Sequence, residues 1–202
     1  VLKAETLERK FPLLAVEHGC IVSKDADLTV AFEVLLPEIY TVTGSEYEAI
    51  HSAWVKAVRV LPDYSVVCKQ DWFMKETYRP DFGGDGQSFL AGSYERHFNE
   101  RPYLNHSCYL YLTKTTRERS RRRSDFSTLC RGHILPREIT DKETASRFLE
   151  AVEQFERIMN DSGLMSLRRM DTGEITGSLE CPGLVEKYFS LSTDEGATVL
   201  ED

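Results

Sequence analysis

Six bases and one acid fall between Lys114 and Arg123: Lys114, Arg117, Arg119, Arg121, Arg122 and Arg123 against Glu118. The segment carries a net charge of about +5. Guanidinium groups at this density suit phosphate oxygens of nucleic acid, anionic lipid heads or an acidic protein surface, because each offers a planar fork of donors with a fixed charge. Arg117, Arg119, Arg121, Arg122 and Arg123 are therefore the candidate contact residues for nucleic acid or an acidic partner. A solvated helix end or loop has the same composition, and no aromatic is interleaved to stack on bases. The whole chain has a net charge of −8, so the rest of the molecule carries about −13 and any nucleic-acid contact must be local rather than a coating of the surface.

Other chemistry is thinly represented. Cys130 and His133 have metal-ligand spacing, but zinc needs four converging ligands and one pair is not a site. His18, His51, His97 and His106 have no histidine partner at helical spacing; His51 and His106 read as hydrogen-bonded core histidines. The loop Asp81-Phe82-Gly83-Gly84-Asp85-Gly86 invites comparison with a phosphate cradle, yet no glycine in the chain is followed by lysine. The Gly-x-x-x-x-Gly-Lys-Ser/Thr and Gly-x-Gly-x-x-Gly patterns are both missing from the sequence. No Gly-x-Ser-x-Gly elbow appears. The five cysteines are odd in number and never closely paired, which points to a reducing compartment; Cys68 and Cys108 read as small inward-facing hydrophobes. No catalytic constellation is visible, and this chain is expected to need no cofactor and no metal.

The elements that position these residues follow from periodicity. The chain's 202 residues, 41% hydrophobic and 29% charged, suffice for one globular domain without staples. No apolar run of about 18 residues is present to span a bilayer. Residues 1–10 read as a lead-in. Phe11 to Val22 flank a His18-Gly19 turn, and Leu28, Val30, Phe32 and Val34 alternate after a Lys24-to-Asp27 turn, as hairpin strands do. Ser45 to Glu48 has the spacing of a capping box ahead of the stripe Tyr47, Ile50, Trp54, Val58 and Leu61. A strand over 65–78 has Val66, Cys68, Trp72 and Met74 as its inward set.

Phe89, Leu90, Tyr94, His97 and Phe98 recur at helical spacing until Pro102. The strand 104–113 then places Leu104, His106, Cys108, Leu110 and Leu112 on one face. Both of its faces are fairly apolar, which predicts a place inside the sheet. Thr140 to Glu143 is a second capping box, and Ala145, Phe148, Val152, Phe155 and Met159 form the stripe of a helix ending at Asn160–Gly163. A strand over 164–170 and a short helix after Pro182 follow. The order spells β-α-β-β-α-β, an α+β ferredoxin-like split motif with helices on one sheet face, an N-terminal hairpin and an inserted helix. One domain is expected over residues 11–190, with 191–202 as a tail or linker. Because the chain starts with Val1, a longer parent protein is expected.

Long strings of the sequence resemble the N-terminal region of TraG-type conjugation ATPases from the conjugative transposons of Bacteroides and its relatives. They are FPLLAVEHGCIVSKDADLTVAFEV (11–34), EYEAIHSAWVKAVRVLPDYSVVCKQDWF (46–73), HFNERPYLNHSCYLYLTKT (97–115), FSTLCRG (126–132) and FLEAVEQFERIMNDSG (148–163). The resemblance implies a non-catalytic docking or assembly domain of a type IV secretion ATPase, cytoplasmic and peripheral at the inner-membrane face. Its implied partners are channel proteins or neighbouring subunits, with self-association among them. ATP and Mg would belong to a C-terminal P-loop domain that has no counterpart here, so no nucleotide-binding residue is carried over. The alternative reading is a nucleic-acid-binding module that uses the basic run 117–123.

Overall fold

A computed structural model describes residues 12–24, 27–37, 39–78, 89–99, 101–115, 142–179 and 181–190. The chain enters the sheet as a hairpin, β1 (Leu13–Glu17) and β2 (Cys20–Ser23). Its two turn residues, His18 and Gly19, both take positive φ, 55° and 69°, as a right-twisted two-residue hairpin requires. Gly19 has a second constraint: a Cβ there would lie 3.1 Å from the Met170 carbonyl oxygen.

β2 turns back into β3 (Leu28–Leu35). A 3-10 turn at Ile39–Thr41 leads to α1 (Gly44–Val60), then β4 (Ser65–Thr77), α2 (Phe89–Asn99), β5 (Pro102–Lys114), α3 (Lys142–Asp161), β6 (Ser166–Arg169) and two short helices, α4 (Thr172–Thr176) and α5 (Leu184–Ser190). β3 pairs with β5, β5 with β4, and β6 with the far end of β3, all antiparallel. β3, α1, β4, β5, α3 and β6 thus form the expected ferredoxin-like motif. β2 extends it by pairing with the first half of the β3 edge whose second half β6 occupies.

The main core lies between the sheet and the pair α1 and α3. Phe32, Leu112, Phe148, Val152, Phe155 and Met159 are fully buried there, each large side chain contributing about 1.5–3 kcal/mol by leaving water. Trp54 of α1 meets Phe155 of α3 edge-on, with ring centroids 5.8 Å apart. The stripe read for α3 is confirmed from Phe148 onward. Asn160 then closes the helix onto β6: its Nδ2 donates to the Leu167 carbonyl at 3.1 Å, and its Oδ1 accepts from the Leu167 N–H at 2.7 Å.

Several expectations are corrected. The α1 box is Thr43 with Glu46, not Ser45 with Glu48: Glu46 N–H donates to Thr43 Oγ1, and Thr43 N–H donates to Glu46 Oε2. The helix therefore begins two residues early. Its buried side is centred on Trp54, Ala57 and Leu61, while Tyr47, Val58 and His51 are exposed. On β4, Trp72 is buried, but Val66 and Cys68 are exposed, because the cover over their face is short. That cover is α4 and α5, which pack on the sheet face opposite α1 and α3 and enclose Ile21, Ala31, Trp72, Tyr109, Met170, Ile175 and Leu184. Short helices thus join the second face as well. Gly177 and Gly183 make this possible, since a Cβ on Gly177 would fall 2.2 Å from the Gly183 nitrogen. Thr140, where the second capping box was read, lies outside the described residues.

Candidate functional site

The β4–β5 ladder runs without a register shift from Ser65 opposite Lys114 to Thr77 opposite Pro102. β3 accompanies β5 only as far as Cys108. Beyond that point, among the described residues, Pro102–Ser107 and Trp72–Thr77 pair with each other alone and project from the sheet as a two-stranded ribbon. Alternation places side chains on both faces of the ribbon, and neither α1 nor α3 reaches that far. This is why Leu104 and His106, read as inward, are exposed.

The inserted helix α2 sits by the end of this ribbon. Phe98 meets Tyr78 edge-on at 6.2 Å, stacks with Tyr94 at 6.2 Å and contacts His97 at 5.4 Å. Together with Arg101, Pro102 and Tyr103 these residues line an open, largely apolar cleft of about 640 Å³. Phe73, Leu90, Tyr94 and Leu104 are each between 61% and 69% exposed. Phe73 lies flat on His106, 4.7 Å between centroids. Tyr103 donates its hydroxyl to Glu76 at 3.3 Å. An apolar surface of this kind, rich in tyrosine and phenylalanine, is the composition that protein interfaces select. The helical spacing of Phe89 to Phe98 was legible in the sequence. That Leu90, Tyr94 and Phe98 stay exposed was not, because nothing in one sequence says which side of a helix faces water.

Two polar constellations accompany this surface, one at the base of the ribbon and one on the second face of the sheet. Asp71 accepts from the Lys69 ammonium and pairs with His106 Nε2 at 2.9 Å. Lys69 first, and His106 second, hold the Asp71 carboxyl below its usual range. Cys108 lies beside this group, and burial pushes its thiol up to about 11. A protonated, enclosed thiol is no nucleophile, so cysteine, histidine and aspartate are close here without forming a catalytic set.

On the second face, Arg168 spans two carboxylates, Glu33 at 2.6 Å and Glu174 at 2.6 Å. It lines a cleft of about 510 Å³ with Tyr109, Lys187 and the backbone of Gly173, Gly177 and Gly183. Because both its carboxylate partners come from the same fold, Arg168 acts as a clamp between β3, β6 and α4, not as an anion receptor.

Arg117, Arg119, Arg121, Arg122 and Arg123 lie outside the described residues, as do Cys130 and His133. Lys114, at the start of the basic run, ends β5 with its ammonium donating to the Asp63 carbonyl and lying 5.4 Å from the Tyr64 ring centre. Among the described residues no three His, Cys, Asp or Glu side chains are grouped to hold a metal ion. No helix among them is long and apolar enough to cross a membrane.

Residues 1–52 match a family described as a domain of unknown function, B. Theta gene description (DUF3875). That description points to a Bacteroides origin. The matched stretch takes in the N-terminal hairpin, β3 and the first half of α1, and says nothing about conjugation. No curated protein matches the chain.

Proposed function

We propose that this chain is the non-catalytic N-terminal docking domain of a TraG-type conjugation ATPase. In this reading it works at the cytoplasmic face of the inner membrane, and the ribbon with α2 is the surface that meets a channel component. The observation that carries the reading is the exposed aromatic cleft of Tyr78, Tyr94, Phe98 and Tyr103. It lies at the end of an unbroken ladder, where it is held away from the body of the domain. Sequence strings spread from Phe11 to Gly163, and the B. Theta description of the family matched at the start of the chain, support the TraG side of the reading.

The test is made in source cells. The frame encoding the chain is read past Asp202 while Tyr94→Ser and Phe98→Ser are introduced together at the native locus. The expected result is a Gly-x-x-x-x-Gly-Lys-Ser/Thr motif downstream, a native protein several times 23.1 kDa, and DNA transfer lowered at least about tenfold with protein level unchanged; loss of a buried aromatic anchor costs about 2 kcal/mol or more. A frame without that motif overturns the ATPase assignment. Undiminished transfer overturns the role of the cleft.

A further inference from the structure

β4 forms one edge of the sheet: among the described residues no strand pairs with it on the side away from β5. Its ladder to β5 has no bulge, and Ser65–Thr77 contains no proline. A long edge without a bulge or a proline is a template for another strand, and proteins that avoid such pairing break the edge with bulges, prolines or charges that clash. The charges on β4 do something different. They are self-complementary.

Two copies of β4 meeting about a two-fold axis run antiparallel, and opposed residues must project to the same face, so their numbers must add to an even total. With the axis at Gln70, Lys69 of each copy stands opposite Asp71 of the other. On the same face Val67 then meets Phe73. On the other face Cys68 meets Trp72, and Val66 meets Met74. Lys75 falls opposite Ser65, so no like charges oppose each other anywhere in the overlap. An axis at Lys69 or Asp71 sets that residue against itself, and an axis at Trp72 puts Lys69 opposite Lys75. An axis at Phe73 pairs Asp71 with Lys75 but loses Ser65 to Cys68 from the overlap. The Gln70 axis alone joins charge complementarity to the longer overlap and pairs the exposed Val66, Cys68 and Phe73 with apolar or aromatic residues.

We infer that β4 is a self-association edge: two copies of this chain join their sheets through antiparallel β4 strands centred on Gln70. The inference is independent of the docking reading, since it needs neither a channel protein nor the α2 cleft. Within each copy Lys69 and Asp71 already pair; in the dimer the two pairs become one four-charge cluster beside His106.

The test uses the full 202-residue chain in analytical ultracentrifugation. The expected wild-type behaviour is a mass that rises with concentration from 23.1 kDa towards twice that, with a dissociation constant on the order of micromolar for an interface of this modest size. Lys69→Asp and Asp71→Lys, each alone, weaken association about tenfold or more by creating two like-charge oppositions. Mixing the two single variants restores it, because a copy with acids at both positions then faces a copy with bases at both. That rescue is not available to a fold defect inside one chain.

A second measurement covers the register. Gln70→Cys forms an intermolecular disulfide on mild oxidation, since residues opposed on the axis have Cα atoms about 4.5–5.5 Å apart. Native Cys68, whose two copies stand about 13 Å apart along the strands, does not crosslink to itself. A monomer at all concentrations, failure of the mixture to rescue, or crosslinking through Phe73→Cys instead of Gln70→Cys overturns the inference.

Discussion

Cys108 shows how closely placed reactive residue types can be chemically silent. It sits on β5 beside Lys69 and Asp71, with His106 one ladder step away, and 4% of its surface reaches solvent. Burial is the dominant influence on its thiol and moves it to about 11, against a partial offset from Lys69. At pH 8 the thiolate fraction is then about one in a thousand. Cys20 is likewise buried and raised by burial, with Arg169 offsetting part of it. Cys68 and Cys181 are exposed. Iodoacetamide at pH 8 on the folded chain, read by peptide mass spectrometry, is therefore expected to modify Cys68 and Cys181 at least about tenfold faster than Cys20 and Cys108. Fast labelling of Cys108 would mean that the strand opens or that the thiolate is stabilised in the way a nucleophile's is. The sequence placed Cys108 inward correctly, and it placed Cys68 inward wrongly for a reason that is local. Both cysteines alternate properly on their strands, but Cys68 faces the side on which only α4 and α5 give cover, whereas Cys108 faces α1 and α3.

Helix starts are decided by which side chain reaches an orphan N–H, and the sequence offers two candidates for α1 two residues apart. Thr43 and Glu46 satisfy each other's backbone donors reciprocally; Ser45 lies inside the first turn, where its hydroxyl reaches only Thr43 Oγ1 at 3.1 Å. Thr43→Ala is thus expected to lower stability by about 1 kcal/mol, a fall of about 2–4 °C in Tm for a domain of this size. Ser45→Ala should stay within about 0.5 kcal/mol. Thermal melts of the two variants side by side check this, and equal losses would place the cap elsewhere.

The same logic explains what was legible among the elements. α3 was readable because its apolar stripe is strong and wholly buried from Phe148 to Met159. The β-α-β-β-α-β order was readable because its first three strands alternate and because Gly163, at φ 68°, lets the chain reverse out of α3 into β6. α4 was missed although Asp171 and Glu174 form a capping box as good as that of α1, Glu174 N–H donating to Asp171 Oδ1 at 2.8 Å and Asp171 N–H to Glu174 Oε2 at 2.9 Å. The helix it starts is five residues long, Thr172–Thr176, too short for a hydrophobic period to register. It is held instead by tertiary contacts: Gly19 N–H donates to Thr172 Oγ1 at 2.8 Å, and Ile175 is fully buried.

At the scale of the molecule, stability and availability for contact run in opposite directions along one pair of strands. At its proximal end β5 is flanked by β3 and β4, with α1 and α3 on one face and α4 and α5 on the other, and Leu110 and Leu112 are essentially sealed. At its distal end only β4 remains beside it among the described residues, and Leu104 is 69% exposed. Beyond Trp72, which α5 helps to enclose, a two-stranded ribbon with largely uncovered faces is marginal on its own, because its ladder bonds are open to water and little apolar area is buried. Amide hydrogen exchange on the dilute chain should therefore show a gradient within one strand. Tyr109 to Leu112 should exchange only through near-global opening, and Leu104 to Ser107 at least about a hundredfold faster through local fraying, a difference of about 2.7 kcal/mol in opening free energy. Uniform protection along β5 would mean that the distal ribbon is buried against something in the isolated chain, and its aromatics would then be core rather than contact surface. If the gradient is found, binding of a partner at the α2 cleft should selectively slow exchange at Leu104 to Ser107. Self-association along β4 should protect Lys69 to Phe73 without closing that cleft. The two proposed contacts thus leave different footprints on the same ladder, and exchange measured at low and high protein concentration, with and without the partner, separates them.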